Sequence, residues 1–208
     1  MNQKLAVISL CVGKAMAYAQ YTAIINNAYC KAHDIPFFCY GKSLDESRTP
    51  HWSKLLALKN HVMDFDWLVW IDADAAIMNH NKSFLDVIKG NEDYMVLIGR
   101  DVNGLNAGVF ILKGGIESKN WLEDVFSMTN CGVGYYEQGA IMVSEQSERY
   151  HPRFKVIERN LINAYDAGNK LHSHYKHGDF ILHAVDQSEE NRIACFKPFA
   201  DQIRETQQ

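Results

Sequence analysis

Apolar residues recur along this chain with two spacings, and the alternation between them predicts a layered fold built on a sheet. Leu5 to Leu10 is a short apolar run followed by Gly13, which reads as a buried strand. Residues 15–33 carry apolar positions at helical spacing with few breakers, so a helix is expected to end near His33-Asp34. Pro36 to Tyr40 then reads as a second strand, closed by Gly41. A strand–helix–strand opening implies a parallel pair joined by a right-handed crossover. Beyond it the pattern predicts a helix from His51 to Asp64 and a near-continuous apolar strand from Asp66 to Ile71. A short helix over 83–89, a strand from Tyr94 to Gly99 and another from Gly108 to Leu112, a candidate antiparallel edge, come next. Helices are expected over 116–127, with Trp121, Leu122, Val125 and Phe126 on one face, and from Glu137 to Ser144. A late strand from Phe180 to Ala184 precedes a polar tail, expected to pack a short helix or hang loose. No repeat or linker interrupts the pattern, so residues 1–208 read as a single α/β domain, whole or the catalytic part of a longer protein.

Composition narrows the function more than the fold. Hydrophobic residues make up 47% and charged residues 22%, an ordinary globular balance that can bury a core without staples. The net charge of −4, with no run of Lys or Arg, argues against a nucleic-acid partner, because phosphate backbones need clustered cations. The five cysteines, Cys11, Cys30, Cys39, Cys131 and Cys195, show no C-x-x-C spacing, which disfavours a zinc ribbon. An odd, scattered set reads as reduced thiols. With no signal-like leader and no run of 18 apolar residues, the expectation is a cytoplasmic chain without a transmembrane segment. Asn81-Lys82-Ser83 is a glycosylation sequon, but chance produces such triplets often.

The candidate chemistry lies in Trp67-Leu-Val-Trp-Ile-Asp-Ala-Asp-Ala75. Ligands of open α/β sheets bind beyond the carboxyl ends of strands, and Asp72 and Asp74 fall at such an end. On an extended chain, residues two apart point to the same side. Two carboxylates held that close repel unless a cation sits between them. Hard ions such as Mg²⁺ and Mn²⁺ take oxygen ligands and leave positions open for phosphates. Alone, the triplet is as readily a loop acid and a helix cap. Its place between two apolar stretches favours the cation, since carboxylates there need a partner.

Five segments then occur in one order: Trp52 to Lys59, Trp67 to Ala75, Leu105-Asn-Ala-Gly-Val-Phe-Ile-Leu112, Glu137-Gln-Gly-Ala140 and Gly178-Asp-Phe-Ile-Leu-His183. In this order the chain resembles glycosyltransferase family 34, the galactosyl-, mannosyl- and xylosyltransferase group, from about Val7 to His183. In its compactness it is also similar to the glycosyltransferase domain of a large algal-virus protein. The resemblance implies an α/β fold of GT-A type, a Rossmann-like, mostly parallel central sheet flanked by helices, with a short antiparallel edge. It implies a retaining enzyme that moves a hexose or deoxyhexose (glucose, galactose or rhamnose type) from a UDP-sugar donor to a glycan or glycoprotein acceptor. It also implies a metal site of Asp72, Asp74 and His183, holding Mn²⁺ or Mg²⁺.

By the same resemblance, Ser9, Tyr18 (or Tyr21), Lys54 and Ala73 fall on the nucleotide and diphosphate side. Asn106, Ala107 and Gly108 fall against the donor sugar. Gln138 would stabilise the reacting sugar carbon through its carbonyl dipole, and Glu137 would orient sugar or acceptor. By themselves, Lys54 is equally a solvated helix lysine, His183 a core histidine and Glu137 an early-helix acid. The chain departs from the family pattern after His183, where Ala184-Val185-Asp186 follows and Lys197-Pro198-Phe199 comes late. Two other readings compete: a sugar nucleotidyltransferase, for which Cys11-Val-Gly-Lys14 is a poor phosphate loop, and a UDP-sugar or glycan-binding domain without turnover.

Overall fold

In a computed structural model of the chain, residues 3–129, 131, 134, 136–166 and 174–206 are described. The opening unit forms as the pattern predicts, with β1 (Leu5–Leu10), α1 (Met16–Ala32) and β2 (Phe37–Tyr40). Next come α2 (Ser53–Lys59), β3 (Trp67–Ile71), β4 (Ala75–Ile77), α3 (Phe84–Ile88), β5 (Val96–Asp101) and β6 (Gly104–Lys113). The second half holds α4 (Ile116–Ser127), α5 (Tyr136–Glu145), β7 (Phe154–Ile157), β8 (Ala164–Tyr165), β9 (Ile181–His183) and α6 (Glu189–Thr206).

The large sheet runs β2-β1-β3-β6-β5-β7. Within it β1 pairs in parallel with both β2 and β3, and β5 in parallel with β7. β6 is antiparallel, as expected, but it lies between β3 and β5 and not at an edge. It is also ten residues long, and buried from Leu105 to Leu112. An edge strand exposes one flank; a run apolar on both faces belongs inside the sheet. Two apolar layers pack on the sheet, one with Leu55, Trp70, Phe110 and Trp121, the other with Val7, Trp67, Phe84 and Phe180.

A second, three-stranded sheet, β4-β9-β8, caps the carboxyl end of β3. Here β4 runs antiparallel to β9, with Ala75 opposite His183. β9 is the late strand expected within Phe180 to Ala184, whereas β4 and β8, three and two residues long, are too short for a hydrophobic period to reveal. The polar tail is neither short nor loose. It forms α6, whose Phe196 and Ala200 pack with Ile25 of α1 and Ala76 and Leu182 of the small sheet. Pro198 inside that helix and its polar composition hid it from the sequence reading.

Candidate active site

Both sheets end at the same place, and the acidic pair lies in the seam. Asp72-Ala73-Asp74 is a turn, not the extended segment expected from the sequence, with the Ala75 N–H bonded to the Asp72 carbonyl at 3.0 Å. Helix α1 pins it through three polar contacts. Thr22 donates to the Ala73 carbonyl at 2.7 Å. One turn on, Asn26 donates to the Ala75 carbonyl and accepts from the Ile77 N–H. The Asp72 N–H donates to the Gly108 carbonyl, and the Ala184 N–H to the Asp74 carbonyl, so β6 and the end of β9 lock the turn from two sides.

This turn brings Asp72, Asp74 and His183 together, with one ligand atom of each within 4.8 Å of the others. Each carboxylate also has a protein cation. Lys54 stands 3.2 Å from Asp72, and Arg192 stands 2.9 Å from Asp74. Burial opposes ionisation of Asp74, but His183 and Arg192 outweigh it and hold the carboxyl below the usual range. The repulsion between the two acids is thus already relieved by side chains that the acidic triplet alone did not reveal.

A chain of amides orients His183. The Asp101 carboxylate accepts from the Tyr165 hydroxyl and from Nδ2 of Asn106. Oδ1 of Asn106 therefore faces the other way, accepting from the Gly108 N–H and from Nδ2 of Asn163. Oδ1 of Asn163 then faces Nδ1 of His183 at 2.8 Å. An amide oxygen only accepts, so Nδ1 carries the proton, and in the neutral ring Nε2 keeps its lone pair. That nitrogen faces Asp74 Oδ1 at 3.2 Å. With a proton on Nε2 the ring pairs with Asp74 as a cation; without it the lone pair and the carboxylate are both open to a metal ion, and an N–O–O donor set with a fixed histidine tautomer suits a divalent ion. Gly108 makes the approach possible: a Cβ there would stand 2.3 Å from Cε1 of His183.

Two cavities open on the triad and share Asp72, Asp74 and Arg192. The larger, about 430 Å³, is walled by the Val12–Ala15 turn, Tyr18, His51, Lys54 and Trp70. The smaller, about 310 Å³ and more polar, is walled by Asp101, Asn106, Gly108, Gln138 and Tyr165. Of the residues expected on the nucleotide side, Tyr18, Lys54 and Ala73 line the larger cavity. Ser9 is buried behind its wall, and Tyr21 packs toward α6.

Lys54 is not a solvated lysine. It is buried, and its three N–H donors have three protein acceptors: Glu137 at 2.7 Å, the Ala107 carbonyl at 2.8 Å and Asp72 at 3.2 Å. Burial alone would lower its pKa, but the two carboxylates more than offset this, and it stands above the ordinary lysine value. Glu137 correspondingly turns to Lys54, and it is not among the residues lining either cavity. Gln138 does reach the smaller cavity, and its Oε1 is fixed by the Ala107 N–H at 2.9 Å.

Three residues of the site escaped the sequence reading: Arg192, Asn163 and Asp101. Arg192 lies on α6, where it holds Asp74 and the Ala184 carbonyl and stands 5.0 Å over the Tyr18 ring. Lys197, the late lysine of the Lys-Pro-Phe segment, instead pairs with Asp201 on its own helix. A cation soon after His183 was the available signal, but it is an arginine where a lysine was sought.

Comparison with known proteins shows the family and the fold. A family model described as the galactosyl transferase GMA12/MNN10 family matches residues 15–89 and 86–194. An uncharacterized alpha-1,2-galactosyltransferase of Schizosaccharomyces pombe is 24% identical over 187 residues, covering 69% of this chain and 48% of its own. The chain spans about half the length of the curated relatives it matches. The crystal structure of a glycosyltransferase involved in the glycosylation of the major capsid of PBCV-1 superposes with a TM-score of 0.78 at 16% identity, covering 94% of this chain and 99% of that one. The galactosyltransferase LgtC, solved with donor and acceptor sugar analogs, superposes at 0.59 with 12% identity, covering 96% and 94%. At such identities the structural likeness establishes the fold, which is α/β of GT-A type. Among the described residues no helix is long and apolar enough to cross a membrane.

Proposed function

This chain belongs to the galactosyl transferase GMA12/MNN10 family, and from that membership we propose that it is a retaining, divalent-metal-dependent glycosyltransferase using a UDP-hexose. The observation that carries the proposal is the convergence of Asp72, Asp74 and His183 at the junction of two cavities. A nucleotide sugar has two unlike ends joined by a diphosphate. The larger cavity, with Tyr18, His51 and Trp70, has aromatic surface for the uridine. The smaller, with Asp101, Asn106 and Gln138, has acceptors and donors for sugar hydroxyls. The diphosphate then falls at the shared wall.

A divalent ion held by Asp72, Asp74 and His183 would neutralise charge growing on the leaving diphosphate as the glycosidic bond breaks. The other tasks belong to side chains. Arg192, which faces both cavities, would add a second positive charge at the diphosphate. Lys54 fixes Asp72 and, through the Ala107 carbonyl, the β6 backbone beside the sugar. Gln138 Oε1, which keeps a second lone pair beyond its bond from the Ala107 N–H, would present that oxygen to the sugar carbon where positive charge develops. With Glu137 committed to Lys54, the Glu137-Gln138 motif offers an amide and no base at that point, which accords with retention of configuration. A glycan acceptor would enter on the smaller cavity's side.

The relatives named alpha-1,2-galactosyltransferases make UDP-galactose the first donor to test, ahead of the glucose and rhamnose analogues. Thermal shift with each UDP-sugar, with and without Mn²⁺, is expected to show stabilisation only when both are present. Slow Mn²⁺-dependent hydrolysis of the same sugar nucleotide then separates turnover from mere binding. No Mn²⁺-dependent shift with any donor would overturn the proposal. In Gln138→Ala, turnover is expected to fall about 100-fold with UDP affinity nearly unchanged, the sign of an interaction made in the transition state. Equal losses in both would remove Gln138 from that role.

A further inference from the structure

Two thiols meet at the open edge of the large sheet, outside the catalytic cluster. The edge strand β2 pairs with β1 so that Cys39 stands opposite Ser9. Cys11 follows two residues after Ser9, and alternate side chains on an extended strand share a face. The Cys11 N–H donates to the Tyr40 carbonyl at 2.8 Å, which carries the ladder to this point. The two Sγ atoms are 3.1 Å apart, about 1 Å more than the covalent bond requires. Cys39 is exposed to solvent and Cys11 partly so. The Cys39 thiol donates to the Cys11 sulfur, which holds Cys11 below the ordinary thiol value against the opposing effect of burial.

We propose that Cys11 and Cys39 are a reversible disulfide site that acts on the nucleotide cavity. The oxidant is a small-molecule disulfide. The Cys11 thiolate attacks one of its sulfurs, the S–S bond breaks, and one small thiolate leaves. Cys39, losing its proton to solvent, then attacks the Cys11 sulfur, and the second small thiolate leaves. Two protein thiols are oxidised, one disulfide is reduced to two thiols, and the two protons end on the leaving groups.

The cavity responds because Cys11 lies within its wall. Leu10, Val12 and Gly13, on either side of Cys11, line the space assigned to the nucleotide. Gly13 turns the chain there with φ 60°, so the wall is a tight bend and not a free loop. Drawing Cys11 toward the edge strand displaces that bend. The effect on nucleotide rests on the glycosyltransferase reading; the cross-link itself does not.

The test treats the reduced chain with oxidised glutathione, then counts thiols, weighs the intact protein and measures UDP binding with Mn²⁺. Of the five cysteines, two are expected to lose their thiols, with a mass lower by two hydrogens and one cross-linked pair of peptides containing Cys11 and Cys39. Cys39→Ser is expected to form no such pair. UDP affinity is expected to fall about three- to tenfold on oxidation and to recover in dithiothreitol. Retention of all five thiols, or a glutathione adduct that never closes, overturns the site. A complete cross-link with unchanged UDP affinity overturns its action on the cavity. If the reduced chain binds no UDP at all, the donor reading fails, and the mass still decides the thiol pair.

Discussion

In Asp74→Ala, the Mn²⁺-dependent part of UDP binding is expected to vanish, a loss of at least about 100-fold by calorimetry. Asp74 is the centre of the cluster, facing His183 Nε2 at 3.2 Å and Arg192 at 2.9 Å. Its removal takes away a carboxylate ligand and releases Arg192 into the space between the cavities. The freed guanidinium can attract a diphosphate by itself, so weak binding without metal is expected to persist. The decisive quantity is therefore the difference between titrations with and without Mn²⁺. Asp74→Asn keeps the shape and loses the charge, and it is expected to behave like the alanine variant. His183→Ala is expected to weaken binding less, because an uncharged ligand contributes less than a carboxylate. Unchanged Mn²⁺ dependence in folded Asp74→Asn would sink the metal assignment.

Lys54→Met is expected to lower stability by about 3–5 kcal/mol in urea denaturation, because it leaves a buried charge without its partner. The two acids it serves are not alike. The Asp72 side chain is 32% exposed and can find water, whereas that of Glu137 is 4% exposed and cannot. The cost is therefore expected to come chiefly from Glu137. Adding Glu137→Leu to Lys54→Met should then recover most of the loss, since an apolar pair of similar volume replaces a broken ion pair. Failure of the second substitution to recover stability would place the cost at Asp72 or at the Ala107 carbonyl instead. A loss below about 1 kcal/mol for Lys54→Met would mean that the site rearranges to hydrate Glu137.

Some of this site could be seen in the linear chain, and the reason differs by residue. Asp72 and Asp74 stood out because a Trp-rich apolar run ends on them. His183 stood out through its place in an ordered set of motifs. Asn106 and Gly108 were found together, but the reason for the glycine was not. Only the structure shows that a Cβ at Gly108 would occupy the position of the His183 ring. Glu137 was given a ligand to orient, and the fold gives it a lysine. Asn163 carries no periodic or motif signal, yet it fixes the protonated nitrogen of His183 from 20 residues away.

What the sequence by itself determined were the features written at short range. These are the parallel β-α-β opening, the strand that ends on the acidic turn and membership of a glycosyltransferase family. Local periodicity and residue order carry that information, because a strand or a helix face repeats within a few positions. The tertiary structure decided which charge meets which. Arg192 lies 118 residues from Asp74, and Lys54 lies between Asp72 and Glu137 on two other elements. Those pairings follow from the small β4-β9-β8 sheet and from α6 folding back on α1. Of these, only β9 was legible in the sequence; β4 and β8 are too short, and α6 too polar, for a period to read. A buried charge is satisfied by whatever the fold brings within reach, and that reach is a property of packing and not of the neighbouring sequence.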